Sequence, residues 1–371
     1  MNRFTTAALA ALLLLVAADA RAALYCVDNE AQLRAALATI GSSFDTSVHE
    51  IRLTQRVFFT GTQGFAVQVS GPTGDTVISG GWSAGASSAC DVQTVDARLT
   101  VLDAQGTSSV LSVRRNSVSG AATPLIRVAN LTLRNGNAES APVGLNLANS
   151  FGSIEVDNVI AHGHRAVASQ FIQGVAIHLD SSSNDISLRN SLIYDNVGNF
   201  IGGFPLSSVL FTSLSLNSNR NWYVTNNTIV AAPSQADSAL RIQSDGNFWV
   251  INNVLRGAVA YTSSITGAGA AVDPLVRQLF NNLASTPLTD RATLVLNQGN
   301  SFVEPELDPI TRALLPSSPL VNAGLGAPPG GVPALDAFGQ PRVFGIFIDI
   351  GAIELQQPPV LPVRIFGNGF E

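Results

Sequence analysis

The sequence predicts a right-handed parallel β-helix, and three observations carry that expectation. Five segments repeat one strand pattern at uneven spacing, an amphipathic helix precedes them, and the composition suits many short strands joined by turns. In Ile126-Arg-Val-Ala-Asn130, Ile154-Glu-Val-Asp-Asn158, Ile186-Ser-Leu-Arg-Asn190, Trp222-Tyr-Val-Thr-Asn226 and Phe248-Trp-Val-Ile-Asn252 the first and third places are large and apolar. The fifth place is always Asn. Alternation with period two makes each segment a strand with one face buried. Helical repeats hold a fixed period, whereas the Asn residues here lie 28, 32, 36 and 26 apart. Constant strands with unequal connections point to a solenoid whose loops differ.

A second strand stands eight or nine residues before each of the last four segments: Leu145-Asn-Leu147, Ile177-His-Leu179, Leu214-Ser-Leu216 and Leu240-Arg-Ile242. A coil therefore reads as strand, short turn, strand, longer excursion. Stacked coils place Asn130, Asn158, Asn190, Asn226 and Asn252 in one column. An inward amide there can donate and accept along the axis, and leaving one unpaired costs about 1–3 kcal/mol. These asparagines are expected to be structural.

Ahead of the coils, Asn29-Glu-Ala-Gln32 has the form of a helix N-cap with its partner three residues on. Leu33, Ala36, Leu37 and Ile40 then share one helical face, suited to plugging the open end of the solenoid. Less regular strands follow around 50–53, 66–69, 76–78, 99–102 and 110–113. The helix and coils occupy residues 23–260, and an irregular C-terminal closing domain occupies 261–357.

The start reads as an export signal. Met1-Asn-Arg-Phe carries one basic side chain, an apolar run covers 7–18, and Ala20-Arg21-Ala22 offers a small-x-small cleavage site. A signal peptide over 1–22 is the expectation; a buried first helix of a cytoplasmic protein is the competing reading. No later stretch is long and apolar enough to span a bilayer. The net charge is −6 and all twenty basic residues are Arg. An acidic chain without a basic run argues against nucleic acid and anionic membranes as partners. It argues against gripping a polyanion too, unless the arginines concentrate in one groove. A monomer is expected. Cys26 and Cys90 form an even pair, which in an exported protein suggests a disulfide, worth roughly 4 kcal/mol on the chain-entropy account. Two free buried thiols are the alternative.

The helix, the Ile78-x-x-Gly-Gly-Trp82 stretch followed by Cys90, and the Asn-bearing coils resemble the pectate-lyase-like superfamily of right-handed parallel β-helices. Farther on come Asn281-Asn-Leu283, Pro305-Glu-Leu-Asp308-Pro309, Ser317-Ser-Pro-Leu-Val-Asn322-Ala-Gly324, Asp336-Ala-Phe-Gly-Gln340-Pro-Arg342 and Asp349-Ile-Gly-Ala-Ile-Glu354. That series resembles the choice-of-anchor Q domain of bacterial surface and exported proteins. The family usually carries Asp at the position of Asn322. The resemblance implies that the segment closes the far end of the β-helix. After a proline-rich linker, Arg364-Ile-Phe-Gly-Asn-Gly-Phe370-Glu371 resembles a terminal signature on exported proteins of some Gram-negative bacteria. A tail over 358–371 is therefore either a sorting tag or a strand that docks on the body.

Candidate chemistry is sparse. His162, His164 and His178 fall within seventeen positions, beside Arg165 and Asp180. Such a cluster can do acid–base work, because His titrates near neutrality, or it is an ordinary polar loop. The polygalacturonase patterns Asn-Thr-Asp, Asp-Asp, Gly-His-Gly and Arg-Ile-Lys are absent, so catalysis is not the leading expectation. Asp157, Asp180, Asp185 and Asp195, with Arg165 or Arg189 nearby, offer oxygen ligands for a lyase-type calcium ion. The favoured reading of Asp180–Asp185 is a turn closed by its own side chains. The outward column holds Arg127, Glu155, Ser187, Tyr223 and Trp249. Tyr223 and Trp249 occupy equivalent places in successive coils, about 4.8 Å apart. They can stack on sugar rings, or the C-terminal domain covers them. The leading expectation is a non-catalytic exported or surface protein that binds a polysaccharide or envelope component. A divergent polysaccharide lyase or hydrolase, and a structural spacer or adhesin, are the alternatives.

Overall fold

Strands that bury one face only need a partner for that face, and here the partners are the same positions of the next coil. The computed structural model describes residues 22–71, 74–83, 90–116, 123–139, 142–168, 174–182, 184–200, 206–213, 220–232, 238–244, 246–264, 277–280, 282–288 and 296–356. The 1–22 signal segment, apart from its last residue, and the 358–371 tail lie outside them. All strand pairings between named strands are parallel, and three main ladders build a β-helix, with a short fourth in which Arg165–Ala168 pairs with Asn137–Ala138 and with residues 197–200.

The first ladder runs from Ala23–Val27 and His49–Thr54 through Thr76–Trp82 to the five Asn-bearing segments. It continues through Arg277–Phe280 and Leu296–Gln298. The sheet thus extends past residue 260, where the coils were expected to end. The third ladder contains Phe65–Val69, Leu111–Arg115, Leu145–Asn149, Gly174–Asp180, Ser207–Thr212, Ser238–Gln243 and Val259–Ser264. Three of the four expected second strands fall in it. The fourth, 214–216, lies outside the described residues; Ser207–Thr212 takes that rung, with Val209 opposite Ile177.

Between these ladders lies a second that the two-strand reading missed. It includes Val57–Phe59, Val101–Asp103, the ends of Ile126–Arg134 and Ile154–His162, then Leu192–Phe200, Thr228–Ala231 and Val254–Arg256. The column Asn residues are the corners between the first and second ladders. Asn130, Asn158, Asn190, Asn226 and Asn252 have φ between 52° and 59°, the left-handed region that Asn tolerates better than most residues. The column therefore records a backbone corner first and an amide ladder only in part. Asn158 Nδ2 donates to Asn130 Oδ1 at 2.9 Å, and Asn190 Nδ2 reaches Asn158 Oδ1 at 3.4 Å. The side-chain amide of Asn226 has no hydrogen-bond partner among the described residues. The fuller ladder sits one residue later, where Asn227, Asn253, Asn282 and Asn300 link amide to amide at 2.9–3.0 Å.

The core is the stacked inward side chains: Ile126, Val128, Ile154, Val156, Ile186, Leu188, Trp222, Val224, Phe248 and Val250 are all buried. The helix Glu30–Ser42 caps one end. Asn29 accepts from the Gln32 amide at 2.9 Å, while the Gln32 side chain reaches back to the Asp28 amide at 2.7 Å. Leu33, Ala36, Leu37 and Ile40 are its buried face. Cys26 and Cys90 are joined in a disulfide, which ties the first rung to the segment after Trp82.

Residues 299–356 hold no element longer than an isolated bridge. Their course differs from the expected end cap: they run back along the flank, over the Asn corners. The Leu325 amide donates to Asn252 Oδ1, and Asn190 Nδ2 donates to the Leu335 carbonyl, both at 2.9 Å. At the far end the Ala97 amide reaches the Ala337 carbonyl. Corner carbonyls and amides are unspent hydrogen-bonding groups, and a chain without its own secondary structure has the complementary need.

Candidate functional site

Parallel register places equivalent residues of successive coils side by side, so a column of outward side chains becomes a strip of surface. The strip predicted from the sequence exists: Arg127, Glu155, Ser187, Tyr223 and Trp249 are register partners in turn. Tyr223 and Trp249 stack with centroids 5.0 Å apart and planes 15° from parallel, both partly exposed. Because the rings stack on each other, the faces between them are occupied. The open face of Tyr223 looks toward Ser187, whose small side chain leaves a recess of about 230 Å³. Glu155, Asp185, Ser187, Arg189, Tyr223 and Gly330 line it. Gly330 belongs to the flank-running segment, and at φ +90° a Cβ there would lie 2.9–3.1 Å from Tyr223 atoms. Its carbonyl accepts from Arg189 Nη1 at 2.8 Å. Burial, then Asp185, pushes the Tyr223 hydroxyl above its ordinary range. The segment thus borders the aromatic pair without burying it.

Beside this recess Asp157 lies 3.2 Å from Arg189 and 3.7 Å from Arg127. Burial raises its pKa, against the pull of the two guanidinium groups. A second recess of about 220 Å³, roofed by Pro333, Ala334 and Leu335, opens onto Arg127, Asp157 and three corner asparagines.

The histidines do not converge. His162 is not in a loop but ends the strand Ile154–His162, between Arg134 and Tyr194. It stacks on Tyr194 at 5.0 Å, and burial and Arg134 lower its pKa against Asp195 and Asp103. His164 is fully buried in the following turn, where Nδ1 accepts from the Gly136 amide at 3.0 Å. Burial pushes it down to about 3. His178 projects from the third ladder, a different face, and shares a 2.8 Å hydrogen bond with Thr212 Oγ1. Burial and Arg114 bring it to about 4. Asp180, two residues along the same strand, is raised by burial against Thr212, Arg114 and Arg220. Buried His164 and half-buried His178, both with lowered pKa values, hold the turn and the ladder.

Asp185 is drawn into the coil, accepting from the Asn221 amide at 2.7 Å. Asp195 pairs with Arg312 at 2.9 Å. Among the described residues no group of three His, Cys, Asp or Glu side chains could hold a metal ion. No protein family, curated protein or solved structure matches this chain.

One groove escaped the sequence reading. Arg165, Arg256 and Arg312, with Asp195 and the walls Val197, Val230, Ala231 and Ala258, line about 580 Å³. Arg256 pairs with Glu304 at 3.0 Å, whereas the exposed Arg165 guanidinium has no ion pair or hydrogen bond among the described residues. Three arginines thus gather in one groove, two of them paired with the acidic side chains of Asp195 and Glu304. A signal existed: Arg134, His162, Tyr194, Val230 and Arg256 each stand four places after a column Asn. Arg312, carried in from the C-terminal segment, had none.

Proposed function

We propose that this protein is an exported β-helix that binds a carbohydrate, at the cell surface or after release, without turning it over. The stacked Tyr223–Trp249 pair supports the reading best. Two large rings kept half in water, at the edge of a recess lined with polar side chains, suit a ligand with apolar ring faces and hydroxyl edges. The apolar run 7–18, the disulfide and the likeness to pectate-lyase-like and choice-of-anchor Q proteins support export and the compartment of a Gram-negative surface protein.

A screen against neutral and acidic polysaccharides, with and without calcium, tests this. Binding should appear without product, and Tyr223→Ala with Trp249→Ala should weaken it at least about tenfold, the loss of roughly one stacked contact. Arg165, which has no ion pair among the described residues, favours a second reading, a divergent lyase or hydrolase acting on an acidic chain in the arginine groove. Product formation that disappears in Arg165→Ala would establish that reading instead. Neither binding nor product would leave a spacer or adhesin.

A further inference from the structure

The carbohydrate reading says where a sugar would lie but not which kind. The recess beside Tyr223 narrows the choice. Its volume, about 230 Å³, is below the ~300–1,000 Å³ of pockets that enclose drug-sized ligands, so it admits one ring and not a length of chain. One wall is the free face of Tyr223, fixed from behind by Trp249. Another is Gly330, pinned by Arg189. The floor holds unspent hydrogen-bonding capacity: Ser187, 9% exposed, has a hydroxyl without a partner among the described residues, and Arg189 Nε is likewise unmatched there. A turn of the Ser187 side chain toward the recess would offer a donor and an acceptor at no hydrogen-bond cost.

Charge decides the class. Glu155 and Asp185 both line the recess. Of the cations, Arg189 spends Nη2 on Asp157 at 3.2 Å and Nη1 on the Gly330 carbonyl, which leaves it only Nε. Arg127 stands 3.8 Å from Glu155 at the outer side. Carboxylates only accept hydrogen bonds, which sugar hydroxyls can donate, whereas a uronic-acid carboxylate would bring a like charge into partly desolvated space.

Resting on the carbohydrate reading, we propose that this recess is the subsite for one neutral sugar ring, and that Glu155 and Asp185 exclude uronic acids from it. The arginine groove lies apart, so the two surfaces would sort neutral from acidic chains.

The experiment uses the full mature chain, with tryptophan fluorescence and titration calorimetry as readouts. The probes are neutral oligomers (β-1,4-glucose, β-1,4-mannose, α-1,4-glucose) and uronate oligomers (α-1,4-galacturonate, β-1,4-mannuronate) of equal length. A neutral oligomer should bind at least about tenfold tighter than any uronate. Glu155→Gln should raise uronate affinity about fivefold, the removal of one like charge. Ser187→Phe continues the aromatic column and fills the recess, so it should abolish neutral binding while thermal melting and the near-UV spectrum report an intact fold. Should that variant not fold, Ser187→Val narrows the recess and should still weaken binding. Uronates that bind as tightly as neutral oligomers, uronate affinity indifferent to Glu155→Gln, or neutral binding indifferent to Ser187→Phe, would overturn the proposal and leave carbohydrate binding standing. Absence of binding by every oligomer, wild type included, overturns both.

Discussion

At the scale of single residues, the corner asparagines separate what a side chain does from where it stands. All five share a left-handed backbone, yet their amides have different fates. Asn130 donates to the Gly80 and Thr94 carbonyls at 2.9 and 3.0 Å and accepts from Asn158. Asn226 bonds nothing through its side chain among the described residues. Asn130→Ala should therefore cost about 3 kcal/mol, from a strained backbone plus lost hydrogen bonds. Asn226→Gly keeps the corner and removes a buried amide without partners, so it should change stability by less than about 1 kcal/mol. Urea unfolding of the two variants checks the contrast; equal losses would mean that the amides, and not the corner, set the cost. Asn322 teaches the same lesson. Its Oδ1 accepts from the Ile346 and Phe347 amides at 3.0 and 3.2 Å, an acceptor's duty that Asn performs as well as the Asp of the resembling family.

At the scale of elements, the first and third ladders were legible because each strand repeats apolar residues on alternate places. The second was harder to see, because the place between each column Asn and its strand changes character along the chain (Leu131, Val159, Ser191, Asn227, Asn253), although the apolar column two places on, Leu133, Ala161, Ile193, Ile229 and Leu255, is constant. An alignment on the preceding Asn captures the corner and assigns the stacking one place too early. The pairs Asn226-Asn227 and Asn252-Asn253 hold both roles side by side. Asn253 carries the ladder most heavily. Its amide donates to Val224, Ile251 and Asn282, and its oxygen accepts from the Asn227 backbone and side chain. Asn253→Ala leaves several buried groups unmatched, and a loss of about 3–4 kcal/mol follows. Solenoids lose cooperativity locally, so hydrogen exchange should quicken first in 247–264 and 277–280 while 126–134 and 154–162 stay protected. Uniform quickening across both regions would refute a local ladder.

At the scale of the whole molecule, a segment without strands is held over coils that lie far apart in sequence, which requires a knot of its own. Asp336, Arg342, Asp349 and Glu354, spread over the two terminal motifs, are all buried together. Asp336 accepts from the Phe338, Gln340 and Glu354 amides, Asp349 from Asn322 and Leu355, and Glu354 from Phe344 and Asp349. Arg342 is the cation among them, bonded to the Asp349 and Gly351 carbonyls. These carboxylates stand in for secondary structure by satisfying backbone donors, which is why the motifs were visible in sequence while their path along the flank was not. The knot also carries a pH dependence. Burial, reinforced by the Asp349 charge, raises Glu354 to about 7 against its backbone donors and Arg342. A folded-state pKa above the unfolded value near 4.3 means that this contribution is complete below about pH 4 and disappears as pH rises through 7. Raising the pH from 5.5 to 8 should therefore loosen the 336–355 segment relative to the coils, seen as faster intrinsic-rate-corrected exchange or earlier proteolytic nicking there. Glu354→Gln loses one backbone hydrogen bond and should be less stable at pH 5.5, but its remaining protection should no longer fall between pH 5.5 and 8. An unchanged slope in that variant would assign the dependence to Asp336 or Asp349, the other raised carboxylates of the knot.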